Sequence, residues 1–166
     1  MTKARGPLYQ VHFRRAREGK TNYSRRLGML KSRKIRLAVR KTNKYVITQF
    51  VQLSTKGDET IATANSKELK KFGFEGKCNT PSAYLTGLLC AKRAKEKGVD
   101  EFILDIGMHS ATKGSLVFAV LKGALDAGLK TNFSGGVLPD EDRISAKHLS
   151  ESVQKQFEEA KKKLLV

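Results

Sequence analysis

The sequence predicts an α/β fold: a small mixed, largely antiparallel sheet packed by helices, with a basic N-terminal extension and a C-terminal helix. Apolar and polar residues alternate between residues 35 and 64, which is typical of strands. In the second half of the chain, apolar residues recur at helical spacing. The charge is also uneven, because residues 1–44 contain fifteen Lys or Arg and one acidic residue, Glu18.

The N-terminal region, residues 1–32, is predicted to be a basic arm that ends in a short helix. Residues 1–19 show no hydrophobic period, so we expect an extended arm that is disordered until it binds its partner. Apolar residues then recur at helical spacing over 21–32, behind a possible cap at Thr21 or Asn22. This pattern predicts a short helix with a basic outer face.

Three short strands are predicted in the middle of the chain, over residues 35–41, 45–53 and 59–64. The segments between them, 42–44 and 54–58, are short and rich in turn-forming residues. Consecutive strands joined by short turns indicate an antiparallel meander.

The second half predicts two helices around one strand. A helix is expected over 80–97, because Thr80 can cap it and Pro81 then occupies the first helical position. Residues 102–107 are largely apolar and predict a buried strand, and 115–127 predict a second helix.

The C-terminal part predicts a loop over 129–138, a short helical turn opened by Pro139 and a charged, mostly exposed helix over 146–163. We therefore expect a globular domain over 33–145 and a C-terminal helical segment over 146–166.

The net charge of +17 indicates that a polyanion normally neutralises this chain. Residues 45–166 carry eighteen basic and fifteen acidic residues, a net charge of +3, so the surplus lies at one end. A basic arm of this kind is typical of nucleic-acid-binding proteins. A membrane surface fits less well, since the arginines outnumber apolar residues and occupy no clean helical face.

Other classes of protein are disfavoured. Cys78 and Cys90 show no spacing typical of a zinc site or a disulfide framework, so we expect buried thiols and no metal. No apolar run follows the basic N-terminus, and Lys122 and Asp126 interrupt the most apolar helical stretch. We therefore expect no signal peptide, no membrane span and a cytoplasmic protein.

Aromatic residues are interleaved with the arginines of the arm, namely Tyr9, Phe13 and Tyr23. Guanidinium groups bind phosphates in a fixed geometry, and aromatic rings stack on unpaired bases. A second basic patch is predicted where Arg36 and Arg40 share the polar face of the first strand, next to the turn at 42–44. Together these features predict one continuous RNA-binding surface.

The segment Gly107–Ser115 lies between a predicted strand and a helix, but its glycine spacing does not fit a nucleotide-binding loop. Its polar residues could still bind an RNA phosphate at the helix start. Asp105 could belong to an RNA-processing enzyme, although neither strand at 35–41 nor 45–53 offers a second carboxylate for metal chemistry. We expect no enzyme and no cofactor. A basic adaptor that binds an acidic protein is the remaining alternative.

The chain resembles the archaeal members of the eighteenth family of large-subunit ribosomal proteins, counterparts of the eukaryotic proteins that bind 5S rRNA. The matching segments occur in order over almost the whole chain. They are Tyr9–Leu27, Arg40–Lys44, Asn79–Leu89, Asp105–His109, Lys113–Ser115, Leu121–Gly128 and Pro139–Ile144. Ala16, Ser24, Met108 and Leu116 depart from the pattern expected of the family.

The resemblance implies a component of the central protuberance that binds 5S rRNA and fastens it to the large-subunit rRNA. Neighbouring ribosomal proteins would be further partners, with no small-molecule substrate and no membrane. Combined with the charge pattern, it predicts these rRNA-binding residues: Tyr9, Phe13, Arg14, Arg15, Arg17, Lys20, Tyr23, Arg25, Arg26, Lys31, Arg33, Arg36, Arg40, Lys41, Asn43, Lys44, His109, Ser110 and Lys113.

Overall fold

The computed structural model describes residues 6–165, so the first five residues of the predicted arm and residue 166 lie outside the described part of the chain. The sheet consists of β1 (Arg36–Lys41), β2 (Val46–Ser54), β3 (Gly57–Asn65) and β4 (Ile103–Asp105). Its strand order is β3-β2-β1-β4. The first three strands form an antiparallel meander, and β4 runs parallel to β1. The predicted fold class, a mixed and largely antiparallel sheet, is confirmed.

The turn between β2 and β3 is tighter than the sequence predicts. Ser54 pairs with Gly57, so Thr55 and Lys56 alone connect the two strands. Gly57 has a φ of +132°, which glycine adopts readily because it lacks a Cβ. The predicted turn over 54–58 is therefore two residues long, and its flanking residues belong to the strands.

Six α-helices occur within residues 6–165. They are α1 (Arg14–Arg17), α2 (Tyr23–Lys31), α3 (Thr80–Lys95), α4 (Leu116–Asp126), α5 (Glu141–Ile144) and α6 (Glu151–Leu165). The last helix starts five residues later than predicted, and α5 forms the short turn that the sequence predicts.

A 3₁₀ helix over Ser66–Phe72 follows β3 and was not predicted from the sequence. Asn65 caps it through its side chain, and Glu68 returns a hydrogen bond to the Asn65 backbone. The sequence contains this capping box as an Asn with a Glu three residues later, so the signal was present.

Helix α3 lies at the centre of the molecule between the sheet and α4. Asn79, rather than the predicted Thr80, caps it by accepting a hydrogen bond from the Ser82 amide. Residues 81–91 are all buried. The helix crosses α4 closely at Gly87 and Gly123, where no side chain separates the two backbones.

Helix α6 packs on the same core. Its outer face is charged and exposed, as predicted, but Phe157, Ala160 and Leu164 are buried. The Phe157 ring lies 6.3 Å from the Phe74 ring and 5.9 Å from the Tyr84 ring, measured between centroids. The C-terminal helix therefore shares the core of the 33–145 region.

Candidate nucleic-acid interface

The arm folds back beside the sheet as two short helices. Residues 14–17 form one turn of helix, α1, where the sequence predicts extended chain. The turn forms from local bonds, since the Glu18 amide donates to the Arg14 carbonyl and Gly19 reverses the chain with a φ of +65°. Neither α1 nor α2 contains a buried residue, so polar contacts dominate their attachment.

Helix α2 is capped by Asn22, one of the two predicted candidates. The Asn22 side chain accepts a hydrogen bond from the Arg25 amide at 3.0 Å. Farther along the helix, Arg26 Nη2 donates to Asp58 Oδ2 of β3 at 2.7 Å. This ion pair joins the arm to the sheet across 32 positions of sequence, so no local pattern of residues could indicate a role for Asp58.

Arg36 is not exposed, which corrects the prediction that it lies on an open face of β1. Its side chain is only 4% exposed and lies between two carboxylates. Nη2 is 2.8 Å from Asp58 Oδ1, and Nη1 is 3.6 Å from Asp105 Oδ2. Nη2 lies close to Asp58, but neither Nη2 nor Nε makes a hydrogen bond. The helical arm covers this face, which the strand pattern alone could not reveal.

Arg40 lies at the open end of the same row and is 45% exposed. It donates to the Asp105 carboxylate at 3.1 Å and to the Asp105 carbonyl at 3.0 Å. Its guanidinium passes close to Gly107, where a Cβ would come within 3.0 Å of Cζ. Asp105 also accepts a hydrogen bond from the Gly107 amide at 2.8 Å, which fixes the loop after β4. Arg40 is therefore held with one face of its cation open to solvent.

The loop after β4 approaches the end of β1. Burial, and then the charges of Lys41 and Arg40, lower the pKa of His109 below its usual value. The structure thus brings His109 together with the second basic patch, while Ser110 and Lys113 are exposed. The Ser115 hydroxyl does not cap α4. Gly107 and Ala111 of this loop line the cavity between α2 and the sheet, whereas His109, Ser110 and Lys113 do not.

The other predicted cations lie open to solvent. We call the following exposed set the basic surface: Arg14, Arg15, Arg17, Lys20, Arg25, Lys31, Arg33, Arg40, Lys41 and Lys44. In α1 and the turn after it, Glu18 pairs with two cations of this set. Its carboxylate lies 2.9 Å from Lys20 Nζ and 3.6 Å from Arg14 Nη1. Asn43 is exposed between Lys41 and Lys44.

The arm aromatics are also accessible. The Phe13 and Tyr23 rings contact each other, with centroids 5.2 Å apart and planes tilted by 57°. Phe13 is nevertheless 72% exposed, and Tyr9 and Tyr23 are each 40% exposed. Such rings pack the arm on one side and leave a ring face free on the other.

A cavity of about 640 Å³ separates α2 from the outer face of the sheet, and we call it the groove. Arg15, Lys20, Arg25, Arg26, Arg36 and Arg40 line it, together with Asp58 and Asp105. Six cations against two carboxylates give the groove a positive potential that favours an anionic ligand. Gln49 and Thr60 also line it, although no pattern in the sequence indicates a binding role for either residue.

The geometry does not favour the enzymatic alternative for Asp105, since Arg36 and Arg40 both pair with its carboxylate. Among residues 6–165, no group of three or more His, Cys, Asp or Glu is placed to hold a metal ion. In the same part of the chain, no helix has the length and apolar character required to cross a bilayer.

Comparison with known proteins identifies the family. A family model described as ribosomal large subunit proteins 60S L5 and 50S L18 matches residues 8–101 and 94–134. The large ribosomal subunit protein uL18 of Korarchaeum cryptofilum is 55% identical over 157 residues, which cover 94% of this chain and 80% of that protein. The uL18 protein of Methanothermobacter thermautotrophicus is 49% identical over 161 residues, covering 96% and 84% respectively. The chain belongs to the family of ribosomal large subunit proteins that comprises 60S L5 and 50S L18.

Proposed function

We propose that this protein binds 5S rRNA through its basic surface and helps to attach it to the large-subunit rRNA in the central protuberance. Membership of the family makes the chain a structural component of the large subunit, located in the cytoplasm within the ribosome, and not an enzyme. Its partners are therefore rRNA and other ribosomal proteins. The proposal concerns which RNA is bound and by which residues.

The observation that carries the proposal is the continuity of the basic surface. Ten exposed cations extend from α1 through α2 to the end of β1 and its turn. Binding to phosphates would release the counterions that these side chains hold in solution, and this release supplies much of the affinity. The exposed ring faces of Phe13 and Tyr23 would add stacking on unpaired bases.

The predicted contact residues divide into two roles. Arg36 would position its neighbours instead of touching rRNA, because the two carboxylates already surround it. Seven residues at the end of β1, in its turn and in the loop after β4 would extend the contact beyond the arm, because all are exposed or partly exposed. They are Arg40, Lys41, Asn43, Lys44, His109, Ser110 and Lys113.

The test is binding to 5S rRNA in the presence of excess tRNA, titrated over a range of salt concentrations. We expect selective binding that persists near physiological ionic strength. The slope of log affinity against log salt estimates the number of phosphates covered, at roughly 0.7 to 0.9 per phosphate. Equal affinity for both RNAs, erased by moderate salt, would leave only a nonspecific basic arm and reject the 5S assignment.

A charge-matched pair of variants assigns the contact to the arm. Replacing Arg14, Arg17 and Arg25 with Gln should lower the magnitude of the salt slope by about 2 to 3. Replacing the exposed Lys56, Lys95 and Lys130 with Gln removes the same charge from outside the basic surface and should leave the slope unchanged. Equal effects of the two triple variants would show that net charge, and not the arm, controls binding.

A further inference from the structure

We propose that the groove between α2 and the sheet receives the base of one unpaired RNA nucleotide, whose phosphates bind the rim. This proposal rests on RNA binding by the basic surface and adds to it a specific subsite for an unpaired residue. The groove is formed by the sheet on one side and by α2 on the other, and the ion pair between Arg26 and Asp58 bridges them.

The floor of the groove offers both apolar and polar contact. The strand register places Arg36 opposite Val51, and Val51 opposite Thr60. In the next row, Ala38 lies opposite Gln49 on one side and Asp105 on the other. A nucleobase has a flat apolar face and a polar edge, and this mixture of side chains complements both.

Arg40 supplies the donor that a ligand in the groove can reach. Its guanidinium lines the groove and is 45% exposed, although Asp105 already accepts two of its hydrogen bonds. A ligand that offers an acceptor to its remaining N–H groups would be stabilised. Guanine presents O6 beside N7, the pair of acceptors that arginine reads most often, and uracil presents two carbonyl oxygens, whereas cytosine presents one and adenine none.

The size and charge of the groove favour a nucleotide over other ligands. A volume of about 640 Å³ falls in the range of sites for small organic molecules and is larger than a phosphate needs. Arg15, Lys20 and Arg25 can hold the flanking phosphates.

A base stacked in an A-form helix cannot enter such a groove, whereas a bulged or loop nucleotide can be turned out of the stack. The subsite therefore predicts a preference for unpaired nucleotides that phosphate contacts alone do not give. This preference concerns any RNA that carries such a nucleotide, so it can be measured without 5S rRNA.

The experiment compares RNA hairpins that differ by one bulged nucleotide, measured by fluorescence anisotropy with the full chain. Four hairpins carry a single bulged G, U, A or C, and a fifth is fully paired. We expect the protein to bind the bulged G or U hairpin about tenfold more tightly than the paired one. An equal affinity for bulged and paired hairpins overturns the proposal, and it does so whether or not 5S rRNA is bound selectively.

The variant that isolates the groove is Gly28→Leu, because Gly28 lines the groove and a Cβ there meets no atom within 4 Å. It changes no charge, and leucine favours a helix more than glycine does. Ser24→Leu is the matched control, since it adds the same side chain to an exposed position of the same helix that does not line the groove.

We expect Gly28→Leu to abolish the tenfold preference while its salt slope on the paired hairpin stays that of the unmodified protein. Gly28→Ala should reduce the preference less than Gly28→Leu does, and Ser24→Leu should retain it. Far-UV circular dichroism checks that the helices persist. A full preference in Gly28→Leu, or an equal loss in Ser24→Leu, would place the unpaired base elsewhere and overturn the assignment to the groove.

Discussion

At the scale of single residues, Asp105 organises the groove and the basic surface beside it. Its carboxylate is buried, pairs with Arg36 and Arg40, and accepts a hydrogen bond from the Gly107 amide. A carboxylate at this position lets two like-charged side chains lie on one strand, because it offsets the repulsion between them. The orientation of Arg40 toward solvent is therefore a consequence of an acidic residue.

Replacing Asp105 with Asn should destabilise the protein by roughly 3 kcal/mol, because two cations then lose a buried counter-charge. The free energy of unfolding in urea measures this. Asp140→Asn is the control, since Asp140 is exposed and its side chain makes no cap hydrogen bond. A change no larger than that of the control would mean that the pairs contribute little to folding.

His109 predicts a pH dependence. Burial and the nearby Lys41 and Arg40 lower its pKa in the folded protein, so the unfolded chain binds the proton more tightly. The free energy of unfolding is therefore unaffected by His109 above about pH 6.5, the usual pKa of histidine in an unfolded chain. It decreases as the pH falls below that value. Urea unfolding at acidic and neutral pH should show a smaller loss in His109→Gln than in the unmodified protein. An identical pH dependence in both would exclude this residue as the cause.

At the scale of elements, the crossing of α3 and α4 depends on two glycines. A Cβ at Gly87 would lie 2.4 Å from the Val120 carbonyl oxygen, and one at Gly123 would lie 2.2 Å from the Tyr84 carbonyl oxygen. Both obstacles are backbone atoms, so the helices themselves would have to separate. The close crossing in turn positions α3 against the core face of the sheet.

We expect Gly87→Ala and Gly123→Ala each to destabilise the fold by roughly 2 to 3 kcal/mol through overpacking. Gly28→Ala is the matched control, because a Cβ on α2 meets nothing and alanine favours a helix by about 0.5 to 1 kcal/mol. Thermal denaturation followed by circular dichroism would show the opposite signs. A melting temperature of either core variant equal to that of Gly28→Ala would contradict this prediction. It would mean that α3 and α4 can separate at little cost in free energy.

At the scale of the whole molecule, the core and the arm are built differently. The core combines the buried sheet face, α3, α4 and one side of α6, whereas α1 and α2 bury no residue of their own. Attachment through exposed ion pairs contributes little free energy, so the arm can open without unfolding the core.

Hydrogen exchange of the RNA-free protein should therefore show two classes of amide. Those of α3 should exchange only through global unfolding, and those of α2 should open at a cost of about 0 to 2 kcal/mol. Addition of RNA should slow the exchange of α2 alone if the arm completes its folding on its partner. Slow exchange of α2 without RNA would contradict this weak attachment of the arm to the core.

The local patterns of the sequence determined most of the secondary structure. Three of these patterns involve only residues that are close together in the chain. They are the alternation in β1 and β2, the proline at the start of α3 and the glycine after α4. The concentration of cations before residue 45 likewise located the basic surface, because charge is a property of composition. The family resemblance was also carried by linear motifs.

Only the tertiary structure decided what each cation of that surface does. Arg36 and Arg40 look equivalent in the sequence, yet one is buried between carboxylates and the other is open to solvent. Asp105 pairs with both arginines and Asp58 pairs with Arg36, each from a strand that is distant in sequence. The folded arm closes the groove above them. Such contacts depend on strand order and on packing between distant segments, which a linear pattern of residues does not encode.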